Sequence, residues 1–169
     1  AKLALGMSEP GTGSDVAGIK TFAERQGDEY VLNGNKVWIT CAHVADYLVV
    51  ITRTDREGSR HQGISTLLVD AKAPGVTIRP LSMLGRRTTH ANEIFFENVR
   101  VPATNLFGGE GRAWKNIMSC LGLERLGLAA ISAGHCFKIT EYARDYAKQR
   151  VQFGKPITDF QVIQHKLAD

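Results

Sequence analysis

The chain has 169 residues, a net charge of +4, 43% hydrophobic residues and 22% charged residues. This composition is typical of a folded globular protein and excludes disordered and fibrous classes. The length suffices for one ordinary core, or for one domain and part of a second. Lysines and arginines are dispersed without an aromatic–basic stripe, so we expect no nucleic-acid binding.

Membrane and metal-binding classes are also disfavoured. No apolar run approaches membrane-spanning length and no signal-peptide pattern opens the chain, so we expect no membrane span. The three cysteines, Cys41, Cys120 and Cys136, are too far apart for a zinc knuckle and odd in number for a disulfide framework. This pattern predicts reduced thiols in a protein of an intracellular compartment. The histidines show no metal-ligand spacing, so we expect no metal site.

The first hundred residues are predicted to form β-strands. After an opening strand at residues 3–5, strands at 21–25 and 30–32 flank the hairpin signal Gly27-Asp28. Asn33-Gly34 predicts a second tight turn before a strand over 36–40. Short strands with turn signals between them predict an antiparallel β-barrel or sandwich. Further strands are predicted at 47–51, 64–69, 76–78 and 91–101.

A glycine cluster at residues 107–111 predicts a hinge between two domains. We expect a middle β domain over 1–108 and the beginning of a helical domain over 109–169. Residues 114–150 lack proline and are predicted to form a long helix, after which Thr158 or Asp159 can cap the next one. The chain opens within a strand pattern and stops within a helical one, so we expect it to be a fragment.

The segment Ser-Glu-Pro-Gly-Thr-Gly-Ser-Asp at residues 8–15 resembles a phosphate-binding glycine loop. It fits neither the dinucleotide fingerprint, where Val16 replaces a glycine, nor the P-loop. It remains a loop rich in backbone donors, in which Gly11 and Gly13 permit close approach of a ligand. A Pro-Gly surface turn is the simpler alternative.

One carboxylate interrupts the apolar part of the predicted helix. Glu124 shares a helical stripe with Leu121 and Leu128, and the neighbouring Arg125 diverges from it. We expect this helix to be buried nearly all round. An unpaired buried carboxylate has a raised pKa, which suits a general base. Pairing with an arginine elsewhere is the alternative, and the residues alone leave both open.

Together, these motifs resemble the acyl-CoA dehydrogenase family. Residues 8–15, 31–40 (Val-Leu-Asn-Gly-Asn-Lys-Val-Trp-Ile-Thr), 95–102 and 150–155 match its ordered motifs from one end of the chain to the other. The resemblance implies an α+β fold, with an antiparallel β-barrel or sandwich domain followed by the first helices of an all-α bundle. It also implies bound FAD and a homo-oligomer, either dimer or tetramer.

The resemblance assigns roles to individual residues. Glu124 stands where the isovaleryl and long-chain members carry the catalytic glutamate, whereas most other members take the base from a later segment. Arg125, Leu123 and Gly122 would lie near the acyl-CoA, although many members have Asp or Asn in place of Gly122. Ser14 would hold the coenzyme A part. The flavin would be bound by Leu5, Met7, Ser8, Gly13, Ser14, Trp38, Ile39 and Thr40 and, from a neighbouring subunit, by Arg150, Gln152, Phe153 and Gln161.

The implied reaction is the α,β-dehydrogenation of an acyl-CoA thioester, with electrons passed to an electron-transferring flavoprotein. An acyl-CoA oxidase or a flavin monooxygenase on the same scaffold is the first alternative, and a flavin-free β-barrel binding module is the second. The resemblance implies the cytoplasm in a bacterium or the mitochondrial matrix in a eukaryote. Acyl chain length and branching are left open.

Overall fold

The computed structural model describes residues 1–169, which form two compact units, Ala1–Met118 and Ser119–Asp169. The first unit is built mainly of strands, and the second is helical apart from one small hairpin. The strands are β1 (Leu3–Gly6), β2 (Phe22–Gln26), β3 (Glu29–Thr40), β4 (Tyr47–Arg53), β5 (Ile64–Asp70), β6 (Val76–Pro80), β7 (Ala91–Pro102), β8 (Leu106–Phe107), β9 (Val151–Gln152) and β10 (Lys155–Pro156), and the helices are α1 (Ala113–Gln149) and α2 (Gln161–Ala168).

The first unit contains one eight-stranded sheet with the order β6-β7-β3-β2-β4-β5-β8, and β1 pairs with β4. Most pairs are antiparallel, but β1–β4 and the single β2–β4 pair are parallel. The predicted fold class is confirmed, with a mixed sheet in place of a purely antiparallel one. Alternating apolar residues of the strands form the core, among them Leu32, Leu48 and Ile94, all at 0% exposure.

The turn predicted at Asn33-Gly34 is wrong. β3 runs unbroken from Glu29 to Thr40, and it pairs with β7 from Glu29–Pro102 to Thr40–Ala91. Gly34 lies instead at a register shift, with φ +136° and a backbone that passes directly against Thr21. A glycine in this conformation serves an irregular strand as well as it serves a turn, so the dipeptide alone could not separate the two.

The long helix was predicted correctly within one residue at each end, since α1 covers Ala113–Gln149. The predicted cap of the next helix is wrong. α2 begins after Phe160 without a side-chain cap, and Thr158 and Asp159 lie in a short 3-10 turn before it. The Thr158 carbonyl accepts a hydrogen bond from Gln164 Nε2 at 2.8 Å.

Helix α1 is long and apolar enough to cross a membrane by length and composition alone. The expectation that no apolar run reaches this length is therefore wrong on that criterion. The finding is weak evidence for a membrane span, since core helices of soluble proteins pass the same test. Glu124 and Arg125 also stand within the apolar stretch, where charges are costly in a bilayer.

Candidate functional site

The glycine loop after β1 is closed by a tight turn. The Glu9 amide donates to the Thr12 carbonyl at 2.9 Å, and the Thr12 amide donates to the Glu9 carbonyl at 3.0 Å. Pro10 and Gly11 form the exposed tip between them, where the fixed φ of proline favours the bend. Glu9 and Thr12 themselves are buried, so the loop is held from beneath.

A buried ion pair anchors this loop to β3. Lys36 has no exposed surface, and its Nζ donates to Glu9 Oε1 at 2.9 Å and to the Met7 carbonyl at 3.0 Å. The Glu9 carboxylate also accepts from the backbone amides of Lys20 at 2.7 Å and Thr21 at 3.0 Å. One pair of side chains therefore joins the loop, β3 and the approach to β2.

The pKa values of both partners, Lys36 and Glu9, are lowered, but burial has opposite effects on the two. Burial lowers the pKa of Lys36 to about 8, although the Glu9 charge opposes that shift. Burial alone would raise the pKa of Glu9, but the Lys36 charge and the hydrogen bonds from Lys36 and the backbone outweigh it and hold the pKa below its ordinary 4.5. Glu9 is therefore ionised at neutral pH, and we take the pair to be charged there.

A β-bulge lies directly beside the loop. Lys36 pairs with Ile94 and Ile39 pairs with Asn92, so Val37 and Trp38 together stand opposite one residue of β7. The Val37 amide donates to the Ser8 carbonyl at 2.9 Å. Trp38 has φ +63°, and the residue is 61% exposed. A left-handed conformation is unfavourable for a bulky residue, so the bulge turns this indole outward against a backbone cost.

Residues 7–14 and 38–40 together form the bulge–loop surface. Thr40 is exposed on the same strand, two residues after Trp38. Gly13 has no positive φ, and a Cβ added there would meet no atom within 4 Å, so nothing inside the chain requires glycine at this position. An exposed indole, a hydroxyl and an open backbone are features that suit a flat aromatic ligand with polar edges. These residues fit FAD.

Several predicted cofactor residues converge on this surface. Met7 and Ser8 are half-buried and hydrogen-bonded to β3, Trp38 and Thr40 are exposed beside them, and Ser14 is exposed at the end of the loop. Ile39 differs, because its side chain lies in the core at 3% exposure and leaves only its backbone for a ligand. Leu5 is 51% exposed on β1. A tryptophan on a strand, taken alone, is more often a half-buried core residue, but Trp38 is 61% exposed.

The predicted acid–base and substrate residues lie in the second unit. Gly122, Leu123, Glu124 and Arg125 are all exposed on α1, so the expectation that this helix is buried nearly all round is wrong for this chain. A 37-residue helix with apolar residues on every side needs several neighbours, and the other helix of this unit has only 8 residues.

The remaining predicted flavin residues lie on or next to a small hairpin. Strands β9 and β10 pair through Gln152–Lys155, and both turn residues, Phe153 and Gly154, have positive φ. This geometry is that of a tight hairpin turn and leaves Phe153 94% exposed. Arg150 and Gln152 are exposed as well, and Gln161 opens α2.

Two residues of the site were missed from the sequence. Lys36 has the appearance of an ordinary exposed strand lysine, since its partner Glu9 lies 27 residues away. Asn92 is fully buried, and its Nδ2 donates to the Ile39 carbonyl at 2.8 Å. Lys36 lies within the motif at residues 31–40, but nothing in that motif shows its pairing with Glu9. Asn92 lies in no motif, and only the pairing of β3 with β7 brings it to the bulge.

Two family models cover most of the chain. The acyl-CoA dehydrogenase middle domain matches residues 4–99, and the acyl-CoA dehydrogenase C-terminal domain matches residues 109–169. The chain belongs to the acyl-CoA dehydrogenase family. This confirms the resemblance of the sequence motifs, whereas the exact boundary at residues 108 and 109 stays a prediction.

Curated relatives match this chain over almost its whole length. The chain is 40% identical to the mitochondrial long-chain specific acyl-CoA dehydrogenase of Mus musculus, over 98% of this chain and 39% of that protein. It is 45% identical to the mitochondrial isovaleryl-CoA dehydrogenase of Oryza sativa subsp. japonica, over 98% of this chain and 41% of that protein. The chain thus spans about two fifths of the length of these relatives.

A solved structure supports the same fold. The glutaryl-CoA dehydrogenase of Mycobacterium smegmatis in complex with FADH2 matches with a TM-score of 0.86 and 34% identity, over 98% of this chain and 42% of that chain.

Replacing Glu9 by glutamine leaves Lys36 buried without its counter-charge. We expect a loss of about 3–5 kcal/mol in unfolding free energy at neutral pH, measured by urea titration. In the wild type, the contribution of Glu9 is complete above pH 4.5 and is lost as the pH falls through its lowered folded-state pKa. Glu9→Gln should lack this acid-side dependence.

Two further variants control this prediction. Glu29→Gln breaks an exposed pair with Arg100 and should change little. The double variant Glu9→Leu/Lys36→Met removes both buried charges and should recover much of the loss. Equal effects of Glu9→Gln and Glu29→Gln would show that the buried pair has no special weight.

Trp38→Gly should stabilise the fold. Glycine removes the cost of φ +63° and gives up little packing because the indole is exposed. We expect the unfolding free energy to rise by about 1 kcal/mol, as measured by urea titration. Trp38→Ala keeps a Cβ in the same conformation and should gain nothing. A glycine variant no more stable than the alanine variant would argue against strain at Trp38.

Proposed function

We propose that this chain supplies the flavin-binding surface and the catalytic carboxylate of an FAD-dependent acyl-CoA dehydrogenase. The observation that carries the proposal is the bulge–loop surface, where a strained backbone presents Trp38 beside the open loop at Gly13. Family membership and a related structure that holds FADH2 support FAD as the ligand. The chemistry that FAD supplies when bound is acceptance of a hydride equivalent from the β-carbon of the acyl chain.

The residues of the surface have distinct tasks in this proposal. Trp38 offers an aromatic face for stacking, and the Thr40 hydroxyl offers a hydrogen bond to the edge of the ring system. The Lys36–Glu9 pair holds the Met7 carbonyl and the loop in place beneath them. Ser14 binds the coenzyme A part of the substrate. A surface held by buried hydrogen bonds keeps its shape before the ligand arrives.

Glu124 is the proposed general base. The carboxylate removes the α-proton of the thioester, and hydrogen bonds to the thioester carbonyl stabilise the negative charge that develops on its oxygen. The isovaleryl and long-chain relatives, in which the family resemblance places the base at this position, support the choice. Arg125, Leu123 and Gly122 neighbour Glu124 in the sequence of α1 and are the proposed substrate contacts.

In this proposal, the residues on and next to the β9–β10 hairpin bind a second flavin, and a separate protein accepts the electrons. We assign Arg150, Gln152, Phe153 and Gln161 to the flavin of a neighbouring subunit in a dimer or tetramer, because Arg150 carries a donor fork suited to phosphate and Phe153 is almost fully exposed. An electron-transferring flavoprotein is the proposed electron acceptor. The cytoplasm of a bacterium or the mitochondrial matrix is the proposed compartment.

Gly13→Ala tests the cofactor assignment. A methyl group at Gly13 meets no atom of the chain, so stability should be unchanged or slightly higher, whereas FAD should bind about tenfold more weakly. Flavin fluorescence titration of the apo full-length protein measures this. Gly85→Ala is the matched control, because Gly85 is equally open and lies in a different loop. Unchanged FAD affinity in Gly13→Ala would remove Gly13 from the cofactor site.

Glu124→Gln tests the catalytic assignment. Flavin absorbance of the full-length protein is followed anaerobically during titration with short, branched and long acyl-CoAs. The flavin of the wild-type protein should lose its absorbance. Glu124→Gln should bind substrate, but its flavin should lose absorbance at least about 100-fold more slowly. Glu141→Gln, also exposed on α1, is the matched control and should bleach normally. Equal bleaching of wild type and Glu124→Gln would place the base elsewhere, and oxygen consumption with peroxide formation would indicate an oxidase.

A further inference from the structure

The bulge in β3 depends on contacts from two sides. On one side, the loop residue Ser8 accepts a hydrogen bond from the Val37 amide at 2.9 Å. On the other side, Asn92 of β7 donates from Nδ2 to the Ile39 carbonyl at 2.8 Å. Trp38 lies between these two tethered residues, and its φ of +63° is the irregular point of the strand. Both tethers act on the backbone next to Trp38.

Asn92 is an unusual residue for its location. It has no exposed surface, and its Oδ1 is buried without a hydrogen-bond partner. An unsatisfied buried carbonyl oxygen destabilises a fold, and a leucine of similar size would remove this cost. The amide therefore contributes something that an apolar side chain cannot, and the observed contribution is its bond to the Ile39 carbonyl.

That bond fixes the peptide plane between Ile39 and Thr40. The orientation of this plane helps to set the backbone at Ile39, and hence the direction in which the exposed side chains on either side, Trp38 and Thr40, leave the strand. The bond also competes with relaxation of the bulge toward regular pairing, which would release the strain at Trp38.

We propose that Asn92 is a positioning residue for the flavin site: its buried amide holds the Ile39 peptide so that the bulge keeps Trp38 and Thr40 directed outward. The proposal rests on the proposed function for the identity of the ligand. Its structural part, the control of Trp38 by Asn92, holds with or without FAD.

The test compares two asparagine-to-leucine variants of the full-length protein. Asn92→Leu removes the bond to the Ile39 carbonyl. Asn105→Leu removes the same type of bond, from Asn105 Nδ2 to the Leu68 carbonyl at 2.9 Å, and is the matched control. Both are made in a background in which Trp114 and any tryptophan outside these 169 residues are replaced by phenylalanine, so that Trp38 is the only tryptophan. Acrylamide quenching of the apo protein reports the exposure of Trp38, and flavin titration reports FAD affinity.

We expect Asn92→Leu to change the quenching constant of Trp38 and to weaken FAD binding about tenfold, with near wild-type stability. Asn105→Leu should leave both readouts within about twofold of wild type, whatever it does to stability. The proposal is overturned if Asn92→Leu matches Asn105→Leu in both readouts.

Two remaining outcomes are also decisive. If wild type binds no FAD, the proposed function fails, and the quenching of Trp38 alone decides whether Asn92 controls the bulge. If Asn92→Leu does not fold, Asn92→Ala removes the same amide without adding branched bulk, and the same two readouts apply to it.

Discussion

The buried contact between Lys36 and Glu9 is the interaction on which the first unit's functional surface depends. Taken alone, the loop at residues 8–15 is a surface turn with small residues and few apolar side chains to hold it. The ion pair, two backbone amides and the Met7 carbonyl take the place of apolar packing, because their hydrogen bonds join the loop to β3 and to the segment before β2. A loop fixed in this way can leave its solvent-exposed side free to bind a ligand.

The regularly paired part of β3 and its irregular part have different roles. Its first residues pair with β7 in register and bury Tyr30 and Leu32 in the core. The last residues contain the bulge, where strain at Trp38 is tolerated because β7 on one side and the glycine loop on the other hold the backbone. Rigidity in one half of the strand thus supports an unfavourable conformation in the other half. At this point the conformation that exposes Trp38 for a ligand lowers the stability of the fold, and a strand without the bulge would be more stable.

The sequence predicted the features that depend on local pattern. The long helix and most strands were predicted because proline, glycine and apolar spacing mark them, whereas the residues of the bulge–loop surface were assigned by the family resemblance. The prediction failed where long-range pairing decides. Asn33-Gly34 fits a turn and a strand irregularity equally well. The motifs that contain Glu9 and Lys36 do not show that these two residues pair, and the burial of Asn92 has no local signature. Apolar composition indicated that α1 needs neighbours, but composition cannot state whether the same chain provides them.

The complete burial of Lys36 has a consequence for chemical damage. Acyl thioesters acylate amines, and a lysine with a pKa of about 8 carries far more of the reactive, uncharged amine at neutral pH than an ordinary one. In the proposed function, such a lysine would lie near a bound thioester and would be a target for acylation. Burial both lowers this pKa and removes the amine from reach, since its Nζ faces Glu9 and the Met7 carbonyl rather than solvent. The same desolvation therefore activates the amine and conceals it.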